Sequence, residues 1–362
     1  MKHIAICTSE VSHGDAVSND VMGMFDILEK QNFNVSIFAE NIFISGDIVK
    51  SIDCIGDFIK NGEDILIYHL SSGWFKGLDV LTKLNCKKII KYHNITPPDY
   101  FYGFGSNHVD SCRIGIEQLN IIANLDLELY LNDSEFNMLG MISKGAKISK
   151  CFVVPPFNNI ERLKSLKPDF DILKKYNDIK VNIVSVGRVA PNKGFEKLID
   201  AFALYNKYFN KESRLIIVGD KHPCLSAYIN YLDDKVRYLN LEDSIVFTGK
   251  VNDEQLKSYL LVSKIFALTS YHEGFCLPLV EAMSMKIPVV TYGSTAIADT
   301  VGNGGIVWGD LDINLIATAI NEIVINEDAY FFIGEAGWRR YKNNFTNKII
   351  KEKFLSVIGK YL

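Results

Sequence analysis

The stretch TSYHEGFCLPLVEAMSMKIPVV separates Glu273 from Glu281 by seven residues that include Gly274, Phe275 and Pro278. Two carboxylates at that interval suit a polyhydroxylated ligand. Glu273 falls ahead of a helix and Glu281 in its first turn, so both can address one molecule from different heights. One carboxylate would meet sugar hydroxyls at a reacting end, and the other would accept from the ribose of a nucleotide. Pro278 fits the first helical turn, where its missing N–H costs nothing. Gly274 lets the backbone approach a ligand closely, and the amides around Phe275, Cys276 and Leu277 are donors that a helix leaves unpaired. The same residues also fit a helix N-terminus decorated with acids that favour its dipole. Spacing alone leaves both readings open.

A second constellation lies in SVGRVAPNKGFEKLI, where a strand ends at Ser185 to Gly187 and a helix begins near Lys193. Arg188 and Lys193 stand at the carboxyl end of that strand. Fixed cations beside a helix N-terminus suit a diphosphate, with amides and dipole favouring the anion and the side chains adding charge-assisted hydrogen bonds. An ordinary βα loop with solvated basic residues is the alternative. In the first half, His93 ends the strand in KYHNITPPDYF, and His69 ends the preceding one in IYHLSSGW. A structural role is open to either. Arg113 and Glu117 suit a cleft or a surface equally. No metal is expected: Asp169 and Asp171 lie in a linker, Asp310 and Asp312 lead into a late helix, and Asp233 and Asp234 sit inside one.

The elements that must position these residues follow from hydrophobic pattern. Short apolar runs alternate with segments of helical period, which indicates parallel α/β architecture. Strands are expected at HIAICT, NVSIFA, DILIYHL, KKIIKYH, LELYLN and CFVVPP, with a helix over residues 19–30. The Lys-rich stretch ERLKSLKPDFDILKKYNDIK reads as a linker. The alternation restarts at VNIVSVG, RLIIVGD, SIVFTG, KIFALTS and IPVVTYG. Phe195, Leu198, Ile199, Phe202 and Tyr205 give a helix with one buried face. Three segments result: 1–160 and 161–345 as two Rossmann-like domains, and 346–362 as a terminal helix returning to the first. Ligands sit outside the carboxyl ends of parallel strands, so the two sheets are expected to face each other across a cleft.

Composition limits the partners. At 362 residues with 48% hydrophobic and 23% charged content, the chain has room for two cores. A net charge of −4 argues against nucleic acid. Seven scattered cysteines without a C-x-x-C pair and no export signal indicate reduced thiols and a cytoplasmic location. No apolar run of membrane-spanning length occurs. Lys83, Lys87, Lys88 and Lys91 suit either a solvated face or peripheral contact with a membrane.

GRVAPNKG (Gly187 to Gly194), VGD (Val218 to Asp220), FTGKV (Phe247 to Val251) and HEGFCLPLVEAM (His272 to Met283) stand in one order over about 100 residues. Together they resemble the retaining glycosyltransferases of the GT-B fold, specifically family 4 with its E-x7-E motif. Cys276 stands where that family most often has Gly. The resemblance implies Arg188 and Lys193 on the donor diphosphate, Glu281 on the ribose and Glu273 on the transferred sugar. Backbone amides of Phe275 to Leu277 would hold sugar and phosphate, and the turn at Lys250 and Val251 would lie against the base. It further implies that Gly14 offers an amide to phosphate, with Asp15 towards the acceptor, and that His93 faces the donor sugar. The single glycine of that first loop departs from the two-glycine form of many relatives.

The expected activity is metal-independent, retaining transfer of a hexosyl group from a nucleotide sugar to a hydroxyl acceptor, with no further cofactor. Likeness to the branch that builds bacterial surface polysaccharides favours GDP-mannose and a glycan or lipid-linked glycan acceptor. UDP-linked glucose, galactose or N-acetylglucosamine stay open as donors. A non-catalytic sugar-nucleotide-binding subunit is the alternative from another class. A dehydrogenase is disfavoured by the absence of G-x-G-x-x-G after the first strand.

Overall fold

The computed structural model describes residues 2–362, the side chains of residues 106 and 107 excepted. In its first half the apolar runs form β1 (His3–Val11), β2 (Asn34–Ile42), β3 (Val49–Ser51), β4 (Ile65–Leu70), β5 (Lys87–Tyr92), β6 (Leu129–Asn132) and β7 (Cys151–Val153). They pair in the order β3-β2-β1-β4-β5-β6-β7, all parallel. The second half supplies β8 (Val181–Val186), β9 (Ser213–Val218), β10 (Ile245–Phe247), β11 (Ile265–Leu268), β12 (Val289–Tyr292) and β13 (Ile306–Trp308). Their order is β10-β9-β8-β11-β12-β13, again all parallel.

Strand period decides the layers. Ile4 and Ile6 of β1 join one core, while Ala5 and Cys7 join the core on the opposite face. In the second sheet Val184, Ile216 and Phe266 enter one core and Ile183, Leu215 and Ile265 the other. Burial on both faces is what makes these strands read as continuous apolar runs. The helix Phe195–Tyr208 turns Phe195, Leu198, Ile199, Phe202 and Tyr205 inward, and all five are at most 1% exposed.

The chain divides into two compact units. The first comprises Met1–Pro98, Val109–Asn158 and Asn347–Leu362; the second comprises Asp99–His108 and Asn159–Thr346. The first is therefore not one unbroken run over residues 1–160. Asp99–His108 groups with the second unit because Tyr100 stacks on Tyr271 (6.2 Å between centroids) and Phe104 meets Tyr228 edge-on (5.3 Å). The stretch read as a linker also differs. It forms helices Ile160–Ser165 and Phe170–Tyr176, whose Ile160, Leu163, Ile172 and Tyr176 are core residues of the second unit. Its many lysines had masked that apolar spacing. The terminal helix Asn347–Ile358 buries Ile350, Phe354 and Ile358 in the first unit. Among the described residues no helix is long and apolar enough to cross a membrane.

Candidate active site

In each sheet the strand order reverses once, between β1 and β4 and between β8 and β11. A crevice at the carboxyl ends opens at such a switch point. In the second unit two loops meet there, one after β8 and one after β11. The Tyr271 amide donates to the Asn192 carbonyl (2.9 Å), as does that of His272 (3.3 Å). Asn192 Nδ2 donates to the His272 carbonyl (3.3 Å), and the Thr269 hydroxyl to the Gly194 carbonyl (2.8 Å). Gly194 holds φ +62°, and a Cβ there would sit 2.3 Å from the Thr269 carbonyl oxygen. Only glycine lets the loops close this far.

The clasp brings Lys193 Nζ to 2.7 Å from Glu273 Oε1, with the two side chains 20% and 8% exposed. Glu273 is further fixed by Thr295, whose Oγ1 accepts from the Glu273 amide and donates to its carbonyl, both at 2.9 Å. Thr295 pays for this position with a left-handed φ of +47°, strained for a β-branched residue. Tyr271 is anchored through its hydroxyl to Glu196 (2.6 Å), which also accepts from Tyr228 (2.6 Å). Burial, with a push from Lys193, holds the His272 imidazole down to about 4, so it is neutral at physiological pH.

Glu281 lies in the helix Leu277–Ser284, but as its fifth residue and so in the second turn rather than the first. The helix starts ahead of Pro278 because the chain enters it through Cys276 in the left-handed region, φ +72°. That backbone explains a glycine preference at position 276. The opening turn, with Leu277 and Pro278, carries no acid. Burial, with Asp253 nearby, pushes the Glu281 carboxyl up to about 7. Gly274 and Phe275 precede this turn, and the Thr300 hydroxyl donates to the Phe275 carbonyl.

Arg188 is exposed and forms no ion pair among the described residues. Its loop is held by the Gly187 amide donating to the Val218 carbonyl and the Val189 amide to that of Asp220, both at 2.9 Å. A Cβ on Gly219 would lie 1.9 Å from the Gly187 carbonyl oxygen, and Gly219 bridges to Gly249. These glycines draw the turn that carries Lys250 and Val251 alongside the loop of Arg188. Lys250 is exposed, while Val251 packs on the core.

In the first unit, Gly14 adopts φ +78° with open space around its Cβ position. Asp15 beside it is the N-cap of the helix Ala16–Lys30, accepting from the Ser18 amide and hydroxyl at 2.8 Å. His93 and His69 are not competitors: His69 Nδ1 lies 2.8 Å from His93 Nε2 and the rings stack. His93 Nδ1 is 2.9 Å from Asp133 Oδ2, so both ring nitrogens of His93 have partners inside the protein. Lys91 reaches Asp133 (2.6 Å) and Asp20 (3.7 Å) from complete burial. Lys91 is thus no part of a basic face, and Lys83 and Lys87 pair with Asp79 and Glu63. Arg113 and Glu117 lie on the surface, Arg113 beside Asp110 (3.4 Å).

Asp20, Lys91, Asp133, Thr295 and Asn192 were not found from sequence. A lysine inside an apolar strand was the one available signal, because a buried ammonium requires a partner. For metals, Asp20, His69 and His93 bring ligand-type atoms within 4.8 Å of one another. Lys91 already supplies a positive charge there. Each aspartate set has at least one member otherwise engaged: Asp169 and Asp312 cap helices, Asp233 pairs with Lys221 (3.0 Å) and Asp234 with Arg237.

Known proteins share part of this chain's sequence and its fold. Residues 169–340 match the family "Glycosyl transferases group 1". The capsular polysaccharide biosynthesis glycosyltransferase CapM of Staphylococcus aureus is 28% identical over 180 residues, 49% of this chain and 45% of that protein. The O-antigen chain mannosyltransferase B of Escherichia coli is 31% identical over 140 residues, 37% of this chain and 34% of that one. The chain thus spans less than half of either relative. Anabaena HepE, solved with UDP and glucose, superposes with a TM-score of 0.79 at 18% identity, covering 99% of this chain and 100% of that one. The chain has the GT-B fold, and residues 169–340, within its second unit, match the glycosyl transferases group 1 family model.

Proposed function

We propose that the protein is a retaining, metal-independent glycosyltransferase that moves a hexosyl group from a nucleotide sugar to a hydroxyl acceptor. The observation that carries this reading is the Lys193–Glu273 pair at the switch point of a group 1 domain, 2.7 Å apart. An ammonium has three N–H donors, so Lys193 can hold Glu273 with one and turn the others to a diphosphate. Arg188, with no partner among the described residues, adds a second cation. Together they stabilise charge that develops on the departing nucleotide diphosphate. Glu273 meets hydroxyls of the transferred sugar, Glu281 meets the ribose, and the amides of Phe275 to Leu277 and the turn at Lys250 and Val251 complete the donor subsite. In the first unit the Gly14 amide is assigned to the phosphate, and His93, whose two ring nitrogens are held by Asp133 and His69, to the sugar through its ring carbons. No metal is needed in this account, since Arg188, Lys193 and the helix N-terminus supply the positive charge.

The likeness to mannosyl- and capsule-building relatives favours GDP-mannose as donor, and a glycan or lipid-linked glycan as acceptor. A UDP-linked hexose is the second reading, favoured by the UDP and glucose bound in the fold neighbour HepE. Thermal unfolding with GDP-, UDP-, ADP- and dTDP-sugars, each with and without EDTA, tests both. A ligand at a hundred times its Kd adds about 2.7 kcal/mol of stability. One base standing out, insensitive to EDTA, supports the reading and identifies the donor; no response from any of them overturns it.

A further inference from the structure

The cluster at the carboxyl ends of β4, β5 and β6 contains more buried charge than a structural histidine needs. We propose that Asp20, His69, Lys91 and Asp133 are positioning residues that lock His93 in one orientation and keep one shared proton among them. This deepens the reading above, because it rests on His93 meeting the donor sugar.

The set surrounds both ring nitrogens of His93, while His69 Nε2 and Asp20 Oδ2 are buried without a hydrogen-bond partner among the described residues. His93 Nδ1 faces Asp133 Oδ2 at 2.9 Å and His93 Nε2 faces His69 Nδ1 at 2.8 Å. From the helix Ala16–Lys30, Asp20 sends Oδ2 to 3.6 Å from His93 Nε2 and 3.9 Å from His69 Nδ1. Its Oδ1 accepts from the Phe157 amide at 2.7 Å. Lys91 lies 2.6 Å from Asp133, 3.7 Å from Asp20, and donates to the Val154 carbonyl. Asp20 and Lys91 are wholly buried, His69 is 2% exposed and Asp133 4%.

Two carboxylates and one ammonium leave one negative charge without compensation in an apolar setting, which is costly. One additional proton neutralises the set. The 2.8 Å nitrogen–nitrogen contact requires one hydrogen between the rings, and two arrangements satisfy it. In one, Asp20 is protonated and His69 donates to a neutral His93; in the other, His93 is cationic and donates to His69 beside an ionised Asp20. Both hold the same number of protons, and in both His93 donates from Nδ1 to Asp133. The charges bearing most on Asp20, His69 and Asp133 come from this set alone. Burial and Asp133 push the Asp20 carboxyl up against Lys91 and His93, while His93 and Lys91 hold that of Asp133 down against burial.

The test is NMR of the imidazoles in isotope-labelled full-length protein against pH, in wild type, Asp133→Asn and Lys91→Met. His69 and His93 should titrate as one unit taking up a single proton. The midpoint should fall in Asp133→Asn, which removes a carboxylate, and rise in Lys91→Met, which removes an ammonium. In Asp133→Asn, kcat should drop about a hundredfold, the effect of a small misplacement, with KM for the nucleotide sugar nearly unchanged. Independent titration of the two rings, or midpoints unmoved by either substitution, would overturn the proposal. So would movement of both resonances on adding equimolar zinc ion to EDTA-treated protein, which would make the cluster a metal site. If the variants fail to fold, the wild-type titration decides alone. None of the NMR needs a donor, so failure to turn over any nucleotide sugar would sink the transferase reading and leave this result standing.

Discussion

Glu273 and Glu281 carry the same functional group in different surroundings, and the surroundings assign different tests. Glu273 is paired with Lys193 and held by Thr295. Glu273→Gln keeps an acceptor for Lys193 but removes the charge at the sugar. Turnover should fall by roughly 10²–10³, while thermal stabilisation by free nucleotide is retained. Equal loss of both would contradict the assignment of Glu273 to the sugar. Glu281 is pushed up to about 7 by burial. A carboxyl raised in the fold favours folding fully below its unfolded value of about 4.3, and that contribution is lost as pH rises through about 7. Glu281→Gln should therefore raise the Tm more at about pH 8 than at about pH 5. Nucleotide affinity, which uses the ionised form as acceptor, should rise across the same interval in wild type and stay flat in the variant. Titration calorimetry at several pH values reads this directly.

The loops after β8 and β11 show what a single glycine can decide. Gly194 combines φ +62° with a backbone oxygen 2.3 Å from any Cβ, whereas Gly14 combines φ +78° with open space. Gly14→Ala should cost about 1 kcal/mol, the conformational penalty alone. Gly194→Ala should cost about 4 kcal/mol or unfold the second unit, because the clasp that brings Lys193 to Glu273 cannot form. Urea unfolding of the two variants separates the cases, and equal midpoints would remove the clasp from the account. The same loops show what was legible in the sequence. Long apolar runs and the i, i+3, i+4 face of Phe195–Tyr208 were readable because burial repeats at a fixed period. The strands β3 and β13, three residues each at sheet edges, have no room for a period. The Gly, Arg, Lys and Glu proposed for the donor subsite could be singled out because their types and intervals lie along the chain. Asn192, Thr295 and the partners of His93 could not, because their meeting is set by tertiary register. The buried lysine is hard to read for the same reason: within KKIIKYH residue type alone does not tell Lys91 from the half-buried Lys87 and Lys88.

At the scale of the molecule, the chain leaves its first unit at Asn158 and re-enters it at Asn347. The junction is stitched by the Asn158 amide donating to Asn347 Oδ1 (3.1 Å) and Asn347 Nδ2 donating to the Asn158 carbonyl (2.7 Å). Beyond it, Ile350, Phe354 and Ile358 fill the face of the first sheet that Ile4, Ile6, Val21 and Phe157 share. Phe354 packs edge-on against Phe157, with 5.8 Å between centroids. Each such side chain is worth about 1.5–3 kcal/mol when buried. Lys2 also donates to the carbonyls of Tyr361 (2.8 Å) and Leu362 (3.0 Å), so the helix closes on the first strand. Ending the chain after Thr346 should therefore strip the first unit of a core layer and leave the second unit's two cores complete. Two transitions are expected on heating that variant, a lowered one from the first unit and one near the wild-type value from the second. Nucleotide should still raise the upper transition, since the donor subsite proposed here lies mainly in the second unit, but turnover should be lost with His93. A single transition lowered as a whole, with no nucleotide response, would mean that the second unit depends on the first for its fold.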